Sequence, residues 1–175
     1  MKTEELFDIV DENDEVIGSA PRSEVHAKGL RHRAAHIWVF NSKGEVLIQL
    51  RSPQKDRHPS TWDSSAAGHV DSGENYDTAA AREVIEELGI RDAGPLREIG
   101  YVRACNSTGQ EFVKVYQTTH EGPFRPCPVE IDRVRWISPG ELEKWMEEKP
   151  GEFAPALPYL WNLLRIKDSE TTQLD

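Results

Sequence analysis

Between Gly68 and Ile90 the chain carries one run whose spacing admits few local structures. Asn75 to Leu88 has an Ala-rich centre, N-cap candidates at Asn75 and Asp77, and a glycine stop at Gly89, which together predict a helix. On that helix Glu83, Glu86 and Glu87 stand at i, i+3 and i+4 and so share one face. Three like charges at this spacing repel one another. Two arrangements make that tolerable: a face open to water, or a hard divalent cation held between the carboxylates, since Mg²⁺ takes oxygen ligands. The three glutamates alone fit either.

The surrounding chain predicts strands before and after this helix. Leu6–Asp11 and Glu15–Ser19 flank an acidic turn at Glu12–Asn13–Asp14. Ala34–Phe40 and Glu45–Leu50 are apolar, β-rich runs joined by Asn41–Ser42–Lys43–Gly44, a hairpin signal. Arg51–Thr61 is polar with two prolines and reads as a loop, and Trp62–Val70 as extended chain. Leu96–Arg103 and Glu111–Thr118 form a second hairpin around Asn106–Ser107–Thr108–Gly109. Arg133–Ile137 is a last strand, followed by helices at Glu141–Glu148 and Leu157–Lys167. Mostly antiparallel strands with interspersed helices predict an α+β sandwich with helices on both faces.

Length and charge narrow the function. At 175 residues the chain is expected to form one domain, residues 1–175, with its first strands at about 5–20. A net charge of −10 argues against nucleic acid as a partner, because a polyanion needs a basic face. Cys105 and Cys127, in no metal-binding pattern, read as free thiols of a reducing cytoplasm. Met1–Asp11 is acidic and lacks the apolar core of a signal peptide, and no run approaches the roughly 18–20 apolar residues of a membrane span. The expected setting is cytoplasmic, with no membrane association.

The segment from Gly68 to Ile90 resembles the Nudix box, G-x5-E-x7-R-E-U-x-E-E-x-G-U with U a bulky aliphatic residue. Gly68, Glu74, Arg82, Glu83, Val84, Glu86, Glu87, Gly89 and Ile90 fall on its fixed positions. The resemblance implies a Nudix fold, an α/β/α sandwich with a mixed sheet, and a loop–helix–loop holding Mg²⁺ or Mn²⁺ against a diphosphate. It implies that Glu83 and Glu87 are direct metal ligands, Glu86 a direct or water-bridged one, and the Ala67 carbonyl a backbone ligand. Glu74 and Arg82 are expected to form an ion pair that fixes the loop. Gly68 and Gly73 permit tight loop geometry, and Val84, Ile85, Leu88 and Ile90 are assigned to packing. The implied reaction is attack on phosphorus by a metal-activated water. The general base is Glu83 or Glu86 from the box, or Glu111 or Glu130 from outside it.

Outside the box, Gln49–Leu50–Arg51–Ser52 with Lys55, Pro59 and Trp62–Asp63 resembles the Nudix branch that includes isopentenyl-diphosphate isomerase. That resemblance implies a diphosphate grip by Arg22, Arg51 and Lys55, and a metal site of His26, His32, His69 and Glu111, of which His69 lies inside the box. Without it, Arg51 and Lys55 are solubility charges, His36 and His58 structural or surface residues. Trp38, Trp62, Tyr101, Phe112 and Tyr116 belong to the core, or in part to a base-stacking pocket. Two departures stand out. Where the isomerase has an acid–base cysteine this chain has Ala67, which cannot move a proton, and this chain keeps the full set of box glutamates that the isomerase lacks. Both favour hydrolysis of a small-molecule diphosphate, a nucleoside diphosphate derivative or an isoprenoid diphosphate, over isomerisation or ligand sensing. The N-terminal strands are the candidate surface for a homodimer.

Overall fold

The computed structural model describes residues 4–171, with side chains described through Arg165. Met1–Thr3 of the acidic N-terminal stretch and residues 172–175 of the expected single domain lie outside the described residues. The chain opens with a hairpin of β1 (Leu6–Val10) and β2 (Val16–Pro21). Its turn is made by Asp11, whose Oδ1 accepts from the N–H groups of Asn13 and Glu15. A seven-residue helix, α1 (Arg22–Lys28), follows and ends at Gly29 in the left-handed region. The sequence analysis assigns no helix here. It buries only Val25, so there was no apolar period to find.

The remaining elements are β3 (His32–Phe40), β4 (Val46–Arg51), β5 (Trp62–Asp63), β6 (Ala66–His69), α2 (Tyr76–Leu88), β7 (Arg97–Val102), β8 (Glu111–Thr119), β9 (Ile131–Ile137), α3 (Pro139–Glu148) and α4 (Ala156–Thr171). β3 is central. Along one edge it runs parallel to β8 over its whole length, from His32 opposite Glu111 to Phe40 opposite Thr119. Its other edge is shared: β6 pairs antiparallel with Ala34–Ile37, while β4 touches it only at Phe40–Val46. The hairpin expected at Asn41–Gly44 therefore closes at its turn and then splays apart. β4 pairs instead with β9, from Val46 opposite Ile137 to Arg51 opposite Ile131, and with β5. The β7–β8 hairpin forms as expected. The sheet is mixed, and its one parallel pairing is the long central one.

Alternation along β3 divides the core between two faces. Ala34 and Trp38 point to one face, where Ile48, Val113, Val115, Leu142, Leu157, Leu160 and Trp161 bring in α3 and α4. Ala35, Ile37 and Val39 point to the other, where Ala79, Ala80, Val84 and Leu88 bring in α2. With both faces covered, β3 and β4 read as almost continuous apolar runs rather than alternating ones. Trp38, Trp62, Phe112 and Tyr116 are core residues; Tyr101 is 42% exposed. Ile85, assigned to packing from sequence, is also exposed, because it falls outside the buried stripe of α2. Val16 and Ile17, on the hairpin singled out for self-association, are 51% and 66% exposed.

Trp161 is the largest tie between α4 and the sheet: it is 1% exposed and meets Trp38 edge-on at 5.1 Å. Its indole N–H donates to Glu143 on α3 at 3.0 Å. Trp161→Ala is expected to lower unfolding stability by about 3–5 kcal/mol, measured by urea denaturation. A loss under about 1 kcal/mol would show that α4 is not part of the cooperative core.

Candidate active site

Helix α2 is capped by Asn75, whose side-chain oxygen accepts from the Thr78 N–H at 2.9 Å, and is stopped by Gly89 at φ 70°. Its buried stripe runs Tyr76, Ala79, Ala80, Glu83, Val84, Glu87, Leu88. Two of the three glutamates thus occupy positions that spacing alone would give to apolar residues. Glu83 and Glu87 are 9% and 5% exposed, while Glu86 lies on the solvent side. A buried carboxylate needs partners, and each has a different set. Glu87 Oε2 accepts from Gln49 Nε2 on β4 and from the Ala67 N–H on β6, both at 2.9 Å. Glu83 Oε1 accepts from Arg82 Nη1 at 2.6 Å.

Arg82 holds the loop before the helix. It meets Glu74 through two N–H···O bonds of 3.0 and 2.9 Å, and its Nη2 also donates to the His69 carbonyl at 2.9 Å. Glu74 accepts in turn from the Asp71 N–H at 3.1 Å. The expected Glu74–Arg82 pair is present, and Arg82 further reaches Glu83 and Glu86. Gly73 takes φ 80°, as a tight turn requires. Gly68 is needed for another reason. A Cβ there would lie 2.0 Å from Glu83 Oε1, so the glycine leaves the space that the carboxylate occupies.

The arrangement suits a hard cation. Burial raises the Glu87 carboxyl to about 8, helped by the neighbouring charge of Glu83. Burial likewise raises Glu83 to about 7, against the pull of Arg82 and with the repulsion of Glu86 and Glu130. Two carboxylates crowded together and removed from water favour a divalent ion between them, with oxygen donors that match Mg²⁺ or Mn²⁺. Ala67 gives its N–H to Glu87 and lines the same cavity.

His69 belongs to a second cluster. Ligand atoms of His26, His32, His69 and Glu111 all lie within 4.8 Å of one another, brought from α1, β3, β6 and β8. Glu111 Oε1 is 3.2 Å from His69 Nε2 and 3.5 Å from His32 Nε2. Burial opposes its charge, but these two imidazoles outweigh burial and hold the carboxyl well below its ordinary range. His32 Nδ1 is 2.8 Å from the Leu30 carbonyl, which turns its Nε2 toward the cluster. Nε2 of His26 and of His32 are buried without a hydrogen-bond partner, and burial, with His69 and His32 nearby, lowers His26 to about 4. Three imidazoles and a carboxylate fit a transition-metal ion. Phe7 of β1 stacks on His69 at 4.5 Å. The box loop joins the two clusters, with Gly68 against Glu83 and His69 among the histidines.

Both clusters border a cavity of about 700 Å³, room for a small phosphorylated metabolite. The cations expected at its wall are engaged. Arg22 pairs with Glu5 at 2.8 Å and Asp56 at 3.0 Å, Arg51 with Asp63 at 3.1 Å, and Lys55 with Glu130. His58 lines the cavity, and buried His36 faces Ser64 at 2.8 Å. From sequence Gln49 enters only as part of the isomerase-like stretch, with no role at the carboxylates, although a glutamine inside the run Val46–Leu47–Ile48–Gln49–Leu50 is a signal. Arg57, in the polar loop, also lines the cavity.

Comparison with known proteins agrees with this arrangement. The NUDIX domain profile matches residues 30–157. An uncharacterized Nudix hydrolase of Yersinia pestis is 39% identical over 157 residues, covering 90% of this chain and 85% of that protein. An isopentenyl-diphosphate Delta-isomerase of Nocardia farcinica is 33% identical over 169 residues, covering 93% and 94%. Among solved structures, DR0079 from Deinococcus radiodurans superposes with a TM-score of 0.77 at 31% identity, covering 92% of this chain and 98% of that one.

Two predictions follow from the geometry. Gly68→Ala is expected to push the Glu83 carboxylate out of place while sparing the fold, because the colliding atom is the end of a flexible side chain. Mg²⁺ affinity by calorimetry should fall by about tenfold or more, and an unchanged affinity would remove Glu83 from the ligand set. The second concerns pH. Unfolded, Glu83 and Glu87 lose their protons near 4.5; folded and metal-free, near 7 and 8. Between those values the folded chain holds more protons, so metal-free stability falls as pH rises. Lowered His26, His58 and His69 act oppositely below about 6.5, so the fall due to the carboxylates is read over pH 6.5–8. In thermal melts with EDTA over that window, Glu87→Gln should flatten the fall, and it should remove most of the stabilisation by Mg²⁺. A slope equal to wild type would show that Glu87 is not the strained group.

Proposed function

Because this chain belongs to the Nudix family, we propose that it is a divalent-metal-dependent hydrolase that cleaves a diphosphate bond in a small phosphorylated metabolite. The observation that carries the reading is the burial of Glu83 and Glu87 side by side at the cavity wall, beneath Gly68 and braced by Arg82. Glu83 and Glu87, with Glu86 and the Ala67 carbonyl, would hold Mg²⁺ or Mn²⁺. When bound, the ion neutralises charge developing on phosphate oxygens and acidifies a coordinated water.

The chain's own groups supply the rest. Gln49 and the Ala67 N–H fix the Glu87 carboxylate, and Arg82 fixes Glu83, so neither needs to reorganise when substrate arrives. Glu130, at the cavity wall and close enough to raise Glu83, would take the proton of the attacking water once a phosphate draws away its partner Lys55. Glu111 is committed to the histidine cluster. Arg22, Arg51 and Lys55 bring positive charge to the side where phosphates enter, and binding there would compete with their carboxylate partners. A small molecule rather than nucleic acid is the fitting substrate, given the net charge of −10.

A second reading, an isopentenyl-diphosphate isomerase-like reaction, is favoured by the assembled histidine–glutamate cluster and by the Nocardia farcinica relative. Against it, the residue before Gly68–His69 is Ala67, with no proton to give. The separating experiment measures phosphate release from nucleotide and isoprenoid diphosphates with Mg²⁺, Mn²⁺ or EDTA, while following double-bond isomerisation of isopentenyl diphosphate. Metal-dependent hydrolysis is expected. Glu87→Gln, which keeps an acceptor for Gln49 and Ala67, should leave below about a tenth of the rate. Isomerisation without hydrolysis would overturn the assignment.

A further inference from the structure

Among the cations that border the cavity, Arg57 has a distinct position. Arg22, Arg51, Lys55 and Arg82 are each bound to at least one carboxylate. Among the described residues the Arg57 guanidinium makes no ion pair or hydrogen bond, although the side chain is half-buried and borders the cavity. Its backbone is nevertheless fixed. Arg51 donates from Nε and Nη2 to the Arg57 carbonyl at 3.3 and 3.1 Å, while its Nη1 holds Asp63. Two of the five N–H groups of Arg51 are thus spent on anchoring the loop that presents Arg57, and a third ties Arg51 to β5.

The far end of Arg57 has a prepared place. Its Nη2 lies over Gly109, where an added Cβ would come within 3.2 Å, so the guanidinium spans from the β4–β5 loop to the turn before β8. Gly109 also has φ 68°, and the neighbouring His58, Ser60 and Gln110 hold positive φ without being glycine. Both loops that meet at Arg57 therefore keep conformations that ordinary residues adopt only at a cost. A half-buried guanidinium left without an anion, on a fixed backbone and facing a cavity, is a group prepared for an anionic ligand.

Resting on the diphosphate-hydrolase reading, we infer that Arg57 is a specificity-determining residue that takes the non-bridging oxygens of a substrate phosphate. The other wall cations must first give up a carboxylate, whereas a phosphate reaching Arg57 displaces none. The planar fork of arginine can hold two phosphate oxygens at once, which an ammonium cannot. Arg57 therefore favours a substrate whose phosphate reaches that side of the cavity over one that carries none there.

The test is binding of methylenediphosphonate, which resists hydrolysis, to the full chain with Mg²⁺, by calorimetry. Arg57→Gln is expected to weaken binding by about tenfold or more, the loss of a charge-assisted contact. Arg57→Lys should recover only part of the loss. Lys144→Gln, which removes one exposed cation remote from the cavity lining, should leave affinity unchanged. Thermal melts of the variants should match wild type, which separates binding from folding. If Arg57→Gln binds within about twofold of wild type, the role of Arg57 is wrong while the hydrolase reading stands. If the wild-type chain itself does not bind the diphosphonate with Mg²⁺, the hydrolase reading falls and this inference with it.

Discussion

The site depends on one guanidinium. Arg82 sits on the first exposed step beside the buried stripe of α2, and from there it reaches Glu74, the His69 carbonyl, Glu83 and Glu86. Without it the loop from Gly68 to Asn75 would keep only the Asn75 cap as an anchor on the helix, and Glu83 would be a buried carboxylate with no compensating charge. Removing one partner of such a pair is costly because the other remains in low dielectric. Arg82 is therefore the residue through which the loop, the helix and the carboxylates take up a single arrangement.

That arrangement is held under electrostatic tension. Glu83 and Glu87 are raised by burial and by neighbouring carboxylates, a cost to the folded chain at neutral pH that a bound cation would relieve. The fold meets the cost from elsewhere, through the two-faced core around β3 and the aromatic contacts of α4. The histidine cluster differs. Burial lowers His26 and His69, while Glu111 is held well below its ordinary range. One cavity thus carries a hard, oxygen-rich centre and a softer, nitrogen-rich one, joined by the two consecutive residues Gly68 and His69.

The cavity wall is more nearly neutral than a list of its arginines and lysines suggests. Pairing of Arg22, Arg51 and Lys55 with carboxylates stores positive charge without an anion present, and keeps the acidic chain from repelling itself at its centre. A ligand that enters exchanges one set of charge-assisted bonds for another.

The sequence by itself determined the parts set by local spacing. The helix from Asn75 to Gly89, the alignment of its glutamates, the Glu74–Arg82 pair, the strands and the two later helices all follow from contacts within a few turns of chain or from fixed periodicity. Only the tertiary structure decided which glutamates are buried, since that depends on how α2 rolls against β3 and β6. It also decided that β4 leaves β3 for β9, that Gly68 is required by the Glu83 carboxylate and not by its backbone, and that His69 joins the histidines. Four ligand atoms drawn from α1, β3, β6 and β8 meet only because the sheet places those segments side by side. The same holds for Arg57, whose guanidinium has no ion pair or hydrogen bond among the described residues, a property that only the folded chain has.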